Sequence, residues 1–400
     1  MWRLCIICIV CLLTSGCWNR VELNEIGIIS ATGVDWKDGK WVLSHQVVIP
    51  QTISSQSPST STAAPVNVFS TSGDNFRIAT KKASQETTRQ LYFSHNQIVI
   101  IGQEAARRGL EQVFDVYLRN ADSRETVTVF LAKGSARRIL EQLIPLEKIP
   151  GNAIQRMIDF EEKNSSDFRQ MTMHNVVQDL LGASQATGIP SLVVGGTNEN
   201  LDRSEMLSIT NTPSKVRLYD LGLIEKDKLV GWVSKEESFG VMWLADHIKR
   251  TTVAFSCAGD TERKQSSIRI ISAKTKLSPA RSGGKWIMRV QVKAEGGLLE
   301  YNCGGDLMKP YEVDKVARLI EREIESLLEK GWQAVRKHKA DVVGFGSTIH
   351  KKYPKAWKEM KGDWPEHFSQ MDIEATVRVK INSTGMSGSG FKQVQKKSRS

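Results

Sequence analysis

The sequence predicts a mixed α+β or α/β protein, not a helical bundle or a β-sandwich. Three observations carry that expectation. Short runs alternate apolar and polar residues, or are apolar throughout, as strands do, and the stretches between them have helical apolar spacing. Two pairs of strand-like runs are joined by short polar turns. The C-terminal third combines one long amphipathic stretch with one strictly alternating run.

In chain order, Ile26 to Trp36 and Trp41 to Ile49 read as strands joined at Lys37-Asp38-Gly39-Lys40. Gln51 to Pro65 is rich in Ser and Thr, has little to bury, and reads as a long exposed loop. A helix is expected from Asp74, its candidate N-cap, to Gln90, with Phe76, Ile78, Ala79, Ala83 and Thr87 roughly on one face. Gln97 to Ile101 is a short apolar run, read as a buried strand. Gln103 to Arg119 reads as one amphipathic helix carrying Leu110, Val113, Phe114 and Leu118. Thr126 to Leu131 is another strand, and helical patterns return at 135–143, 154–162 and 172–181.

Asn198 to Pro213 reads as a polar connection. Beyond it, Val216–Ile224 and Leu229–Val233 form a hairpin around Glu225-Lys226-Asp227-Lys228, followed by a helix from Lys235 to Ala245. Thr251–Phe255, Ile268–Lys276 and Trp286–Val292 read as strands. Pro310 to His338 is a long helix whose apolar stripe is Val313, Ala317, Ile320, Ile324, Leu327, Leu328 and Val335. Gly331 is a candidate interruption, because glycine costs about 1 kcal/mol inside a helix. A second helix is expected before Tyr353-Pro354. Ile373, Ala375, Val377, Val379 and Ile381 alternate with polar residues, the pattern of a half-buried strand. The Gly/Ser-rich, then basic, tail from Ser383 to Ser400 is expected to be disordered.

The N-terminus bears on location. Arg3 is followed by an apolar run from Leu4 to Leu13, then Thr14-Ser15-Gly16-Cys17. That is a signal peptide ending in small residues before a cysteine, the pattern of a bacterial lipoprotein. Cleavage between Gly16 and Cys17 and acylation of the Cys17 thiol would hold the chain on the outer face of a membrane. The rival reading is a transmembrane helix, but the run is about half the ~20 residues a bilayer requires. Trp18, Asn19, Arg20 and Glu22 end it. Thr14 stands where the commonest lipoprotein pattern has Leu.

The 400 residues suggest two or three domains, and 40% apolar with 25% charged residues is ordinary globular composition. The net charge of +11 is spread along the chain, which reads as a solvated surface with attraction to anionic headgroups as a secondary role. Nucleic-acid binding is not expected of an exported chain without a recognition motif. Cys5, Cys8 and Cys11 would leave with the signal. Cys257 and Cys303 remain, either as a disulfide or as two buried thiols. The sequence has no paired-cysteine metal spacing.

No catalytic constellation has the required spacing: there is no nucleophile elbow, no Walker A loop and no His-Glu-x-x-His. Gly344-Phe345-Gly346-Ser347 resembles part of a phosphate loop but lacks its lysine and third glycine, and reads as a turn between helices. His95, before a buried strand, reads as a hydrogen-bonded structural residue. Trp357 and Trp364 lie among lysines and could touch lipid headgroups, but capping the C-terminal core is the preferred reading. Val230, Trp232, Trp243 and Leu244 read as core.

These residues together resemble the Ger(x)C spore germination lipoproteins, the C subunits of germinant receptors. The opening Gly16-Cys17-Trp18-Asn19-Arg20-Val21-Glu22-Leu23-Asn24 is similar to the family's start, with Asn19 where Asp is common. Leu91 to His95 with Ile98 to Gly102 is similar to an internal strand. Lys226-Asp227-Lys228-Leu229-Val230-Gly231-Trp232 with Gly240, Trp243 and Leu244 matches its central motif. Asp341-Val342-Val343-Gly344-Phe345-Gly346, Tyr353 to Trp357, and Trp364 match its C-terminal one. The matches run in the family's order from Cys17 to about Ile381.

The resemblance implies an α+β fold of three mixed α/β domains, with antiparallel or mixed sheets and a long C-terminal helix packed on a sheet. The expected divisions are a signal peptide at 1–16, an N-terminal domain at 17–200, a central domain at 201–265, a C-terminal domain at 266–384 and a tail at 385–400. It further implies no enzymatic activity and no cofactor or metal. The implied partners are the membrane-embedded A and B subunits of a germinant receptor in the spore inner membrane. The competing functional readings are a solute-binding lipoprotein that feeds a transporter and an envelope hydrolase, the latter disfavoured by the missing catalytic set.

Overall fold

A computed structural model describes Trp2 and residues 25–50, 64–119, 124–196, 201–203, 205, 210–212, 214–257 and 264–385. The signal segment with Gly16 and Cys17, most of the Ser/Thr-rich loop and the basic tail lie outside these residues. β1 (Ile26–Lys37) and β2 (Lys40–Val48) form the expected hairpin. Asp38 and Gly39 occupy its two-residue turn with φ of 51° and 75°. β3 (Val66–Gly73) adds to β2, and α1 (Phe76–Glu86) follows. The N-cap of α1 is Asn75, whose side-chain Oδ1 accepts the Ile78 N–H at 3.0 Å, and not Asp74. Phe76 packs on Trp41 with ring centroids 5.0 Å apart. The first helical residue is one position later than the sequence suggests.

β4 (Gln90–Tyr92) pairs with the start of β1, and β5 (Ile98–Gly102) lies beside its middle. The single helix expected over 103–119 is two: α2 (Gln103–Arg108) and α3 (Glu111–Arg119). Gly109 breaks it with φ 131°. β6 (Thr128–Ala132), α4 (Ala136–Leu140), α5 (Pro150–Asn164), α6 (Met173–Leu181), β7 (Ala186–Gly196), β8 (Ser214–Glu225) and β9 (Lys228–Val233) follow. The larger sheet runs β3-β2-β1-β5-β6-β7-β8-β9, with β4 on β1. It is covered on both faces. Ile98, Ile100 and Phe130 pack with α4 and α5, while Val99, Ile101, Val129 and Leu131 pack with α2, α3 and α6. Burial from both sides explains the unbroken apolar runs of β5 and β6.

α7 (Lys235–Leu244) leads to the smaller sheet: β10 (Thr251–Phe255), β11 (Ser266–Ser282) and β12 (Lys285–Glu300). After α8 (Pro310–Lys337) come α9 (Phe345–Lys352), α10 (Pro354–Met360), α11 (Trp364–Gln370) and β13 (Asp372–Ser383). The order is β10-β11-β12-β13, with β13 parallel to β12 and the other pairs antiparallel. β11 and β12 run further than their apolar patterns suggest. Glycines at 296 and 297 end the pattern without ending the strand, and a Cβ at Gly296 would come within 2.2 Å of the Arg269 carbonyl.

The architecture is α+β, with two mixed sheets and a long helix packed on one of them. α8 is unbroken over 28 residues, about 42 Å. Ile320, Ile324, Leu327 and Leu328 pack with Val290, Val292 and Val377 of the smaller sheet. Gly331 does not interrupt the helix. It meets Gly240 of α7 backbone to backbone, and a Cβ on Gly240 would lie 2.0 Å from the Leu327 carbonyl oxygen. The segment 201–265 therefore serves both halves. Its hairpin extends the larger sheet, α7 packs on α8, and β10 edges the smaller sheet.

Candidate functional site

The C-terminal motif lies on the seam between the two sheets. At its centre is Asp341, 2% exposed. Its Oδ1 accepts the Phe345 N–H at 2.9 Å. Its Oδ2 accepts the Gly346 N–H at 2.6 Å, the Ser184 hydroxyl at 2.6 Å and the Trp364 Nε1–H at 3.0 Å. Gly344 takes a left-handed φ of 78° and caps α9, which aims those amides at the carboxylate. The glycine-rich run thus does present N–H groups to an anion, but the anion is Asp341. Burial pushes the Asp341 carboxyl up to about 6, against the opposing pull of its four hydrogen bonds. With both oxygens occupied, it acts as a clamp between the segment before β7 and the C-terminal motif.

Aromatic packing completes this cluster. Trp357 and Trp364 are buried and meet edge-on at 4.9 Å, and a Cβ on Gly346 would sit 3.0 Å from both rings. Phe345 stacks on Trp332 at 5.3 Å, and Phe368 closes the group.

The central motif forms a second cluster. Lys226 turns the β8–β9 hairpin with φ 57°. The Asp227 carbonyl accepts the Leu110 N–H at 2.8 Å, and a Cβ on Gly109 would meet the Asp227 carboxylate. The hairpin turn therefore docks where α2 and α3 part. Gly231 leaves room for the His338 ring. Trp243 is fully buried, and its carbonyl accepts the Thr275 hydroxyl at 2.7 Å, tying α7 to β11. Leu244 is also fully buried. Trp232 is half-buried with the Lys133 ammonium 5.3 Å from its ring, and Val230 is 40% exposed, so neither is the core residue the sequence suggests. On a hairpin near a sheet edge, one face stays open to solvent.

His95 is exposed and rests against Tyr92. The buried neighbour is Asn96, which donates to the Thr32 hydroxyl at 3.1 Å and to the Tyr117 hydroxyl at 3.3 Å. The histidine that is buried is His45, on β2 between Phe69 and Phe93. Ser44-His45-Gln46 is a polar run inside a strand, the signal that could have revealed it. Ser184 had no such signal. Cys257 and Cys303 form a disulfide between the end of β10 and the segment that follows β12. Among the described residues no group of His, Cys, Asp or Glu could hold a metal ion, and no helix is long and apolar enough to cross a membrane.

Burial holds the His45 imidazole down at about 4, and burial with the nearby Arg169 guanidinium does the same to His247. Both rings are neutral in the folded chain and must charge in acid. Their contribution is complete above the unfolded value near 6.5 and is lost as pH falls towards 4. Melting temperature is expected to drop over that window, and His45→Gln should flatten the drop. An equally steep profile in the variant would contradict the assignment.

Residues 19–194 match the family described as "Spore germination protein N-terminal domain". Residues 220–385 match "Spore germination B3/ GerAC like, C-terminal". The chain belongs to the Ger(x)C spore germination family. Ger(x)C relatives include "Spore germination protein KC" of Bacillus subtilis (strain 168), 28% identical, with 98% of each chain covered. "Spore germination protein A3" of the same organism is 23% identical over 94% of this chain and 96% of the relative. "Spore germination protein B3" is 21% identical over 93% and 95%. The "Crystal Structure of the GerBC protein" superposes with a TM-score of 0.55 and 18% identity, covering 88% of this chain and 96% of that one. The Ger(x)C fold is thus shared over most of the chain.

Proposed function

We propose that this Ger(x)C protein is a non-catalytic, lipid-anchored subunit of a nutrient germinant receptor. It would act on the outer face of the spore inner membrane beside membrane-embedded A and B subunits. The supporting observation is that both family segments, and nearly the full length of relatives named as spore germination proteins, align with the chain. The Cys257–Cys303 disulfide fits an oxidising location. Asp341, Phe345, Gly346, Trp357, Trp364, Trp243 and Leu244 are taken up by internal packing, which leaves the surface to carry the activity.

Affinity capture of the tagged chain from spore membranes should bring A and B subunits with it. Deletion should abolish the response only to germinants of its own receptor. Failure with every germinant would place the protein downstream and overturn the reading. The anchor is tested separately. Two acyl chains supply the two signals that stable anchoring needs. Cys17→Ala should therefore lose incorporation of a palmitate analogue. Labelling equal to wild type would refute acylation at that cysteine.

A further inference from the structure

With Trp357 and Trp364 inside, the aromatic groups left at the surface nearby belong to a different pair. β13 begins to pair with β12 at Ile287, so the end of the β11–β12 hairpin, from Arg281 to Trp286, projects beyond the third strand. Against it lies the turn between α9 and α10. The Trp286 and Tyr353 rings are 5.3 Å apart, and Tyr353 is 37% exposed. The Arg281 guanidinium lies 4.7 Å from the Trp286 centroid and the Lys352 ammonium 5.5 Å from that of Tyr353. Together with Lys355 and Glu359 they line an open groove of about 690 Å³. Lys285 and Lys351 stand exposed beside it. Among the described residues, Arg281, Lys285, Lys352 and Lys355 make no ion pair with a carboxylate.

We infer that this aromatic-basic patch rests on the membrane and takes the phosphate headgroups of anionic lipids. The inference relies on the lipid-anchored reading above and adds a second contact to it. Amphipathic rings favour the headgroup level, and basic side chains are drawn to an anionic surface and held there within a Debye length. The fold permits the placement. α9, eight residues or about 12 Å long, separates Lys352 from the Asp341–Ser184 clamp. Ser184 precedes β7, and the strand registers bring the starts of β7 and β1 to the same end of the larger sheet, three strand spacings or about 14 Å apart. Eight residues lie between Cys17 and Ile26, and the nine Cα–Cα steps reach up to about 30 Å.

The test uses the full-length acylated chain carrying Ser282→Cys. Cys17 is then acylated and Cys257 and Cys303 are bonded, so the new thiol alone takes an environment-sensitive fluorophore. The chain is reconstituted on vesicles of phosphatidylcholine with and without phosphatidylglycerol. Emission should shift to the blue on phosphatidylglycerol vesicles, and the shift should shrink as salt rises. It should vanish in Arg281→Glu/Lys352→Glu/Lys355→Glu, whose melting should match wild type because all three side chains are exposed. Lys352→Gln/Lys355→Gln, a milder control, should weaken the lipid response by about fivefold per residue. Equal emission on both vesicle types overturns the inference. So does a shift that requires added spore membrane protein and ignores phosphatidylglycerol, which would assign the patch to an acidic protein partner. Flotation reads the anchor independently. A chain that floats only with phosphatidylglycerol vesicles supports the patch and refutes the anchor, and one that floats with neither refutes both.

Discussion

Asp341→Ala should destabilise the protein by about 3–5 kcal/mol, because it strands four buried donors that cost about 1–3 kcal/mol each when unpaired. The cost is below their sum because removing the carboxylate also removes its own desolvation penalty. Asp341→Asn should cost less. An amide oxygen can still serve the three donors on the Oδ2 side, but its NH₂ then faces the Phe345 N–H. The two variants also separate by pH. The folded carboxyl is raised to about 6 from an unfolded value near 3.8, so its contribution is fully present below about 4 and lost as pH rises through about 6. The Asn variant should lack that loss. Chemical denaturation at several pH values checks both expectations. A midpoint for Asp341→Ala equal to wild type would mean that the clamp holds nothing.

Trp243→Ala should cost about 3–5 kcal/mol as well, through the cavity left by a fully buried indole. Trp243 belongs to the core cluster that joins α7 to both sheets, so the loss should appear as one cooperative shift. Trp243→Phe should cost less, since the indole Nε1–H has no hydrogen-bond partner to lose. Trp232 is half-buried, and Trp232→Ala should fall well below Trp243→Ala. Equal midpoints for the two alanine variants would contradict the burial difference between them.

Local features were the legible part of this fold. The turn at Asp38-Gly39, the α8 stripe from Ile320 to Val335 and the alternation of β13 are where the sequence places them, whereas at the start of α8 the buried residue is Val316 and not Val313 or Ala317. What depends on distant partners was not legible. Gly109 lies within a helical pattern, and only the Asp227 turn docking there explains the break. Gly331 gave the opposite error, because its reason is Gly240 on another helix. The site followed the same rule. The residues of the C-terminal motif could be named from their resemblance to a family. That their amides face Asp341, and that Ser184 completes the clamp from the other half of the chain, required the tertiary structure.

The antiparallel pairing of β7 with β8 spans the break between the two family segments, which end at residue 194 and resume at residue 220. In a chain made from its N-terminus, β7 emerges as an open edge with unpaired amides and carbonyls, a template for mispairing. Among the described residues, the strand on that side of β7 is β8, which lies beyond residue 194. Closure waits until synthesis has reached Val233, when the β8–β9 hairpin can zip onto that edge. The N-terminal segment produced alone should therefore aggregate, and the natural order of synthesis makes the hairpin the latch of the larger sheet.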